Sequence, residues 1–414
     1  MRIAVIGAGV SGLVTAYLLA DEHEVTVFEA NDYIGGHTHT VDTEAGGRTF
    51  AVDTGFIVFN ERTYPNFVRL LKRLGVAWQP SNMSFGVRCE KTGLEYSPSS
   101  LNSFFAQRRN LLKPSFYRLI ADVFRFRRES QAVLAGDDWA TTLTEFLAAR
   151  GYSRRFVEQF LVPMGAAIWS AAPEDFGAMP VRFFAQFFHN HGFLNVRDQP
   201  QWLTLRGGSR SYIAPLTAAY SDRIRLSCPV ESVRRRTDCV EVTPCGGAPE
   251  RFDQVVIATH SDQALRLLAD PSPAEREILG AIPYQENDTV LHTDASLLPR
   301  CRRAWASWNY LIPREARRRV AVTYNMNLLQ SLDAPATFCV TLNSPEAIDP
   351  ATVRLRTVYH HPVYTAAGVA AQKRRDEISG VNRTYYCGAY WSYGFHEDGV
   401  KSALAVCQHF GKGL

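Results

Sequence analysis

Six residues after the first methionine the chain reads Gly7-Ala8-Gly9-Val10-Ser11-Gly12, a spacing suited to holding a pyrophosphate. Gly7 permits a tight turn, Gly9 lets the backbone approach phosphate oxygens, and Gly12 lets a helix pack closely on the preceding strand. Ser11 stands just before the helical run Leu13–Ala20, at whose N-terminus unpaired N–H groups and the helix dipole favour an anion. Glu29 ends the next apolar run, Glu24 to Glu29, 22 residues after Gly7. That is the distance at which an acid meets ribose hydroxyls, and a carboxylate there disfavours a 2′-phosphate. A lone Gly-x-Gly-x-x-Gly is weak; strand, glycines, helix, strand and acid together are a specific dinucleotide signature.

Other chemistry-bearing clusters are Trp305 to Tyr310, Tyr324-Asn325-Met326-Asn327, Tyr359-His360-His361-Pro362 and Tyr393 to Asp398. His360 or His361 suits a general base, because an unperturbed imidazole titrates near neutral pH. Each reads equally well as a hydrogen-bonded structural histidine. Tyr324 is grouped with them as a catalytic candidate.

The elements that must position these residues follow from pattern. Arg2–Ile6 reads as a short buried strand, as does Asp253 to Thr259. The small, apolar run Val400–Val406 reads as a closely packed helix. Residues 100–200 read as mostly helical. Asp138 is expected to cap a helix carrying Trp139, Leu143, Phe146 and Leu147, with Gly151 as its stop, and Ser153 to cap the next. Phe183, Phe184, Phe187 and Phe188 share one helical face, either core or the wall of an apolar tunnel. Runs at Arg319–Tyr324 and Thr337–Leu342 suggest a second sheet.

Composition narrows the class. The chain has 414 residues, 46% of them apolar or aromatic, enough for two intimately joined domains. Net charge is only +4, which does not suggest nucleic-acid binding. The eight cysteines form no Cys-x-x-Cys, so neither a metal site nor a dithiol motif is indicated. No secretion signal or membrane-spanning run is visible, and a reduced cytoplasmic protein is expected. One stretch is amphipathic. Phe116, Leu119, Ile120, Val123 and Phe124 fall on one helical face, with Arg118 and Arg125 opposite and Arg108, Arg109, Lys113, Arg127 and Arg128 nearby. It reads either as a core helix with a basic face or as peripheral contact with an anionic membrane.

After Glu29, five residues lead to Gly35-Gly36-His37-Thr38, and Asp53-Thr54-Gly55-Phe56 follows. Both stretches resemble the flavin-containing amine oxidoreductase superfamily, as do Tyr386-Cys387-Gly388 and the Gly394–Gly399 turn before the last helix. The resemblance implies an α/β fold: a discontinuous, Rossmann-like FAD-binding domain (1–75, 200–264, 370–414) and a mixed sheet-plus-helical substrate domain (76–199, 265–369). It implies non-covalent FAD held by Gly7, Gly9, Ser11, Gly12, Glu29, Gly35, Gly36, His37, Thr38, Thr54, Gly55, Val230, Val233, Gly388, Glu397 and Asp398. His37 stands where relatives often carry Arg, and Ala389 where many carry Glu. Amine oxidases of the superfamily typically hold a Lys in the later substrate domain, yet here no Lys occurs between Lys113 and Lys373. The stretches around Trp308, Tyr324, His360 and Cys387–Gly399 look like a bacterial group associated with cyclopropane-synthase-like methyltransferases and with desaturation of methyl-branched fatty acyl chains. The expectation is an FAD-dependent desaturase or dehydrogenase of an apolar or lipid substrate, with a methyltransferase as pathway partner. The alternatives are an amine oxidase and an FAD-stabilised accessory subunit without activity.

Overall fold

Strand β1 (Arg2–Ile6) buries Ile3, Ala4, Val5 and Ile6 on both of its faces, as a continuous apolar run requires. In the computed structural model, which describes residues 1–169, 176–191, 200–315, 319 and 321–414, β1 is the centre of a five-stranded parallel sheet. The order is Ile224–Arg225, β2 (Glu24–Phe28), β1, Gln254–Ile257 and Thr384–Tyr386, so three separate stretches of chain meet in one sheet. Helix α1 (Val10–Leu19) packs on it and against the terminal helix His396–Gln408. The approach is close: a Cβ on Gly399 would lie 2.7 Å from Val10 Cγ1. The terminal helix starts four residues before the expected Val400, because Asp398 in its first turn accepts a hydrogen bond from the Phe395 N–H.

A seven-stranded sheet stands opposite. Its order is Val353–Pro362, Tyr284–His292, Cys339–Leu342, Ala321–Asn325, Trp308–Ile312, Phe85–Cys89 and Leu94–Tyr96, parallel only where Trp308–Ile312 meets Phe85–Cys89. The two strands expected near 319–324 and 337–342 are its central pair. Tyr310, Val322, Tyr324, Val340 and Leu342 join one buried cluster on it.

Helices close the remaining side. Asp138 does not cap the helix assigned to it; its carboxylate organises a turn by accepting from the Ala140 and Thr141 N–H groups. The helix is Leu143–Ala149, capped by Thr142 in a reciprocal pair with Glu145. Ser153 caps as expected, accepting from the Phe156 N–H. The four phenylalanines of Val181–Asn190 are all buried. Helix Pro114–Ala135 turns Phe116, Leu119 and Phe126 inward, and Ile120 and Val123 pack partly against the same clusters. Only Phe124, of the face expected to be apolar, is exposed. All eight cysteines are free. Among the described residues no helix is long and apolar enough to cross a membrane.

Candidate active site

A cavity of about 900 Å³ opens where the carboxyl ends of the parallel strands face the seven-stranded sheet and the helices, the place where open α/β sheets hold ligands. Gly7, Gly9, Ser11, Glu29, Gly35, Gly36, His37, Thr54, Gly55, Val230 and Gly388 line it, together with Tyr324, His360 and His361. The sequence signature therefore converges on a single space.

The glycine turn fits a dinucleotide. A Cβ on Gly9 would meet no atom within 4 Å, so this backbone faces open cavity, whereas one on Gly12 would lie 1.9 Å from the Gly7 carbonyl oxygen. Glu29 is buried, and each of its carboxylate oxygens is already used once or more. Oε2 accepts from the Ala8 N–H at 2.7 Å, and Oε1 from the Asn31 N–H and Nδ2. The acid thus clamps the turn while its remaining lone pairs face the cavity. Gly35 and Gly36 both have positive φ, at 121° and 58°, which folds this loop back onto Gly9.

Five residues assigned to the cofactor site do not line the cavity. Gly12 serves helix–strand packing, as its place in the turn predicts. Val233 is fully buried in the core. Thr38 Oγ1 lies 2.7 Å from Tyr212 Oη and 3.0 Å from His396 Nε2, pinning the terminal helix to the Gly35–Gly36 loop. Glu397 accepts from the Asn66 and Phe67 N–H groups, capping helix Pro65–Arg73. Asp398 accepts from the Tyr393 and Phe395 N–H groups, and burial raises it to about 6. Both carboxylates are satisfied by backbone at the root of the terminal helix.

The two candidate bases separate. His360 points outward, 43% exposed, with Nε2 3.6 Å from Glu286 Oε1. His361 is held in one protonation form by a chain of forced donors. The Asp288 N–H donates to Asn343 Oδ1, so Asn343 Nδ2 donates to Asn287 Oδ1, and Asn287 Nδ2 donates to His361 Nδ1 at 3.1 Å. With Nδ1 accepting, the proton of the neutral ring sits on Nε2. In that form His361 presents an N–H, rather than a basic lone pair, to the cavity. Burial and the neighbouring histidines hold it neutral, pushed down to about 4.

Two further imidazoles stand beside it. His37 lies 5.4 Å from His361 and 6.2 Å from His260, ring centre to ring centre, and Tyr359 stands 4.9 Å from His37. Burial lowers His260 to about 4 and His37 well below its usual range. His37 Nε2 is buried and has no hydrogen-bond partner among the described residues. A ligand oxygen would satisfy it, which fits the pyrophosphate or ribityl part of a flavin nucleotide. Sequence reasoning missed His260. Its position directly past the parallel strand Gln254–Ile257, at the sheet's carboxyl edge, was the available signal.

The far end of the cavity is apolar. Phe56, Ile57, Val58, Met83, Ile168, Trp169, Phe187 and Leu342 contribute to it, with Trp308 and Tyr324 set edge to face at 5.0 Å. Phe187 therefore satisfies both earlier readings, being buried core on one side and cavity wall on the other. Tyr324 belongs to this wall.

A parallel nucleotide-binding sheet joined to a second, roofing sheet, with a Gly-rich turn and a largely apolar cavity between them, defines a flavoprotein oxidoreductase. The flavin-containing amine oxidoreductase family matches residues 10–291, and the chain belongs to that family; its cofactor is FAD. The chain is 28% identical to a 15-cis-phytoene desaturase of Narcissus pseudonarcissus over 191 residues, 42% of this chain and 32% of that protein. It is 26% identical to a flavin-dependent L-tryptophan oxidase of Lentzea aerocolonigenes over 267 residues, 59% of this chain and 54% of that one. The matches thus span between about a third and a half of these relatives' lengths. In fold it is similar to cyclohexylamine oxidase of Brevibacterium oxydans (TM-score 0.70, 17% identity, 99% of each chain). It is also similar to a fatty acid isomerase of P. acnes (TM-score 0.67, 17% identity, 99% and 98%).

Proposed function

We propose that this flavoenzyme dehydrogenates an apolar, acyl-like substrate. One observation carries the reading: among the described lining residues the only formally charged side chains are Glu29, Glu231 and Arg266, all on elements of the nucleotide-binding side. The chamber beyond them offers an ammonium group no carboxylate. It offers an alkyl chain aromatic and aliphatic walls, and each buried methylene contributes about 0.8 kcal/mol. The lysine-free stretch from 114 to 372 agrees. So do the names of two similar proteins, which refer to phytoene and to a fatty acid.

FAD, when bound, supplies the hydride acceptor. The chain's own groups position and seclude. His361 presents Nε2–H as a neutral donor. Trp308 Nε1 is buried without a partner among the described residues and offers a second donor to a substrate oxygen. Phe56 lies flat against His396 at 3.6 Å, so the wall beside the terminal helix is rigid. The dipole of that helix favours negative charge at its N-terminus.

The test is anaerobic. A long-chain unsaturated or methyl-branched acyl lipid is expected to bleach the visible absorption of the bound flavin, and primary amines and polyamines are not. Bleaching by an amine with no response to acyl lipids restores amine oxidation. A flavin that stays oxidised with every candidate supports the accessory-subunit reading.

A further inference from the structure

Nine large apolar side chains are exposed on the described surface, and five of them come from one stretch: Leu101, Leu111, Leu112, Tyr117 and Phe124. Leu112 is 87% exposed and Leu101 78%. The same stretch holds the chain's excess charge. Residues 101–128 carry seven basic side chains and one acid, so the other 386 residues together are net −2. The lone acid, Asp122, is buried and paired with Arg118 and Arg125.

The apolar groups form one patch. On helix Pro114–Ala135, Tyr117, Ala121, Phe124 and Arg128 recur every three or four residues and all face outward. Tyr117 Oη donates to the Leu111 carbonyl, which fastens the Leu111–Leu112 loop to the helix start. The Tyr117 ring stands 6.1 Å from Phe105, whose carbonyl accepts from Arg108, and Arg108 also binds Asn102 beside Leu101. The inner face of the helix is fixed by core packing, so this is a built surface. It stands two side chains behind the chamber: Phe126 lies 5.8 Å from Phe184, which lies 6.4 Å from Trp169 of the cavity wall.

We propose that residues 101–128 form an interfacial docking surface for an anionic lipid bilayer. Leu112, Tyr117 and Phe124 enter the headgroup–acyl boundary while Lys113, Arg118 and Arg128 meet lipid phosphates. Apolar groups ringed by unbalanced positive charge complement that boundary better than they complement a second copy of the chain, whose same patch is equally positive. This rests on the surface alone and holds whichever substrate the chamber takes.

The full-length, FAD-loaded protein is sedimented with phosphatidylcholine vesicles and with mixed phosphatidylcholine–phosphatidylglycerol vesicles. Binding to the anionic vesicles is expected to be at least about tenfold tighter and to weaken as salt is raised. The pair Lys113→Glu and Arg128→Glu should abolish that preference, and Leu112→Ser with Phe124→Ser should lower binding at least about tenfold. An unchanged flavin spectrum shows that each variant is folded. Equal, negligible binding to both vesicles, or binding that these variants leave untouched, overturns the proposal. A vesicle-free dimer that Leu112→Ser dissociates also overturns it and assigns the face to self-association.

Discussion

Gly9→Val separates cofactor binding from folding. Gly9 has φ of −74° and ψ of 178°, extended backbone that valine adopts without strain. It makes no side-chain cap to lose, and an added Cβ meets nothing within 4 Å. Removing a glycine from the unfolded chain stabilises by about 0.4–1 kcal/mol, and valine's poorer fit at a helix N-cap costs a similar amount. The melting temperature of the apoprotein should therefore barely move. The new isopropyl group projects into the space where phosphate oxygens approach the turn. Displacing two charge-assisted hydrogen bonds, each worth about 1.5–3 kcal/mol, weakens FAD by roughly a hundredfold to ten-thousandfold. The assay pairs thermal unfolding of the apoprotein with FAD titration followed by flavin fluorescence. Gly12→Ala is the opposite control: its Cβ would fall 1.9 Å from the Gly7 carbonyl oxygen, so it should destabilise the apoprotein itself. A Gly9→Val protein that binds FAD as tightly as wild type would refute the placement of the pyrophosphate. One that fails to fold would refute the reading of Gly9 as facing open space.

Glu29→Ala should destabilise the apoprotein as well as weaken FAD, because the Ala8 and Asn31 donors lose their acceptor; a variant altered in neither refutes the clamp. Asn287→Asp replaces the donor to His361 Nδ1 with an acceptor, so an imidazole nitrogen resonance should report an Nδ1 proton and a raised His361 pKa; an unchanged tautomer refutes the donor chain. Apoprotein stability should fall as pH drops from about 6.5 towards 4. His191, His260 and His361 are held near 4 and His396 near 3, so the unfolded chain takes up their protons first. At pH 5 each histidine costs about 2 kcal/mol. Asp53 and Asp398, raised to about 6, act in the opposite sense and return about 1 kcal/mol each. Rising melting temperatures over that range would contradict the neutral cluster.

The nucleotide turn was legible because it is local. Strand, glycines, helix and acid are contiguous, and each residue type answers one steric or charge demand there. The terminal helix was half legible. Its small apolar face announced close packing, but Glu397 and Asp398 looked like cofactor ligands because they sit beside the Gly394 turn. Their carboxylates in fact accept from backbone N–H groups of helix Pro65–Arg73 and of residues 393–395; only the Asp398–Phe395 pair, at N3-to-N-cap spacing, leaves a local signature. Asp53 reads in the sequence only as part of the Asp53-Thr54-Gly55-Phe56 motif, yet it is a fully buried junction, accepting from Thr40 on the paired strand and from the distant Ser209 and Gln330. Pattern reading placed the nucleotide turn, whose residues act on their neighbours, and missed the work of Asp53 and Glu397, whose partners include residues more than 150 positions away.

The histidines show what that costs in mechanism. From the sequence, His360 and His361 were equivalent candidates, one residue apart. Because side chains alternate along a strand, adjacent residues must face opposite ways: both touch the cavity, but His360 turns towards Glu286 at its exposed rim and His361 towards Asn287. The choice of donor over base then rests on two asparagines, 74 and 18 residues away, which carry no motif at all. The result is a chamber with two neutral donors among its polar groups: His361 Nε2–H and Trp308 Nε1–H, the latter without a partner among the described residues. Neutral donors favour a ligand oxygen without demanding a counter-charge on the substrate. A cationic amine finds aromatic faces but no carboxylate on this wall, whereas an acyl chain with one carbonyl oxygen can use both its apolar length and a single hydrogen bond. The donors of the chamber and its apolar lining therefore agree with the acyl substrate proposed above.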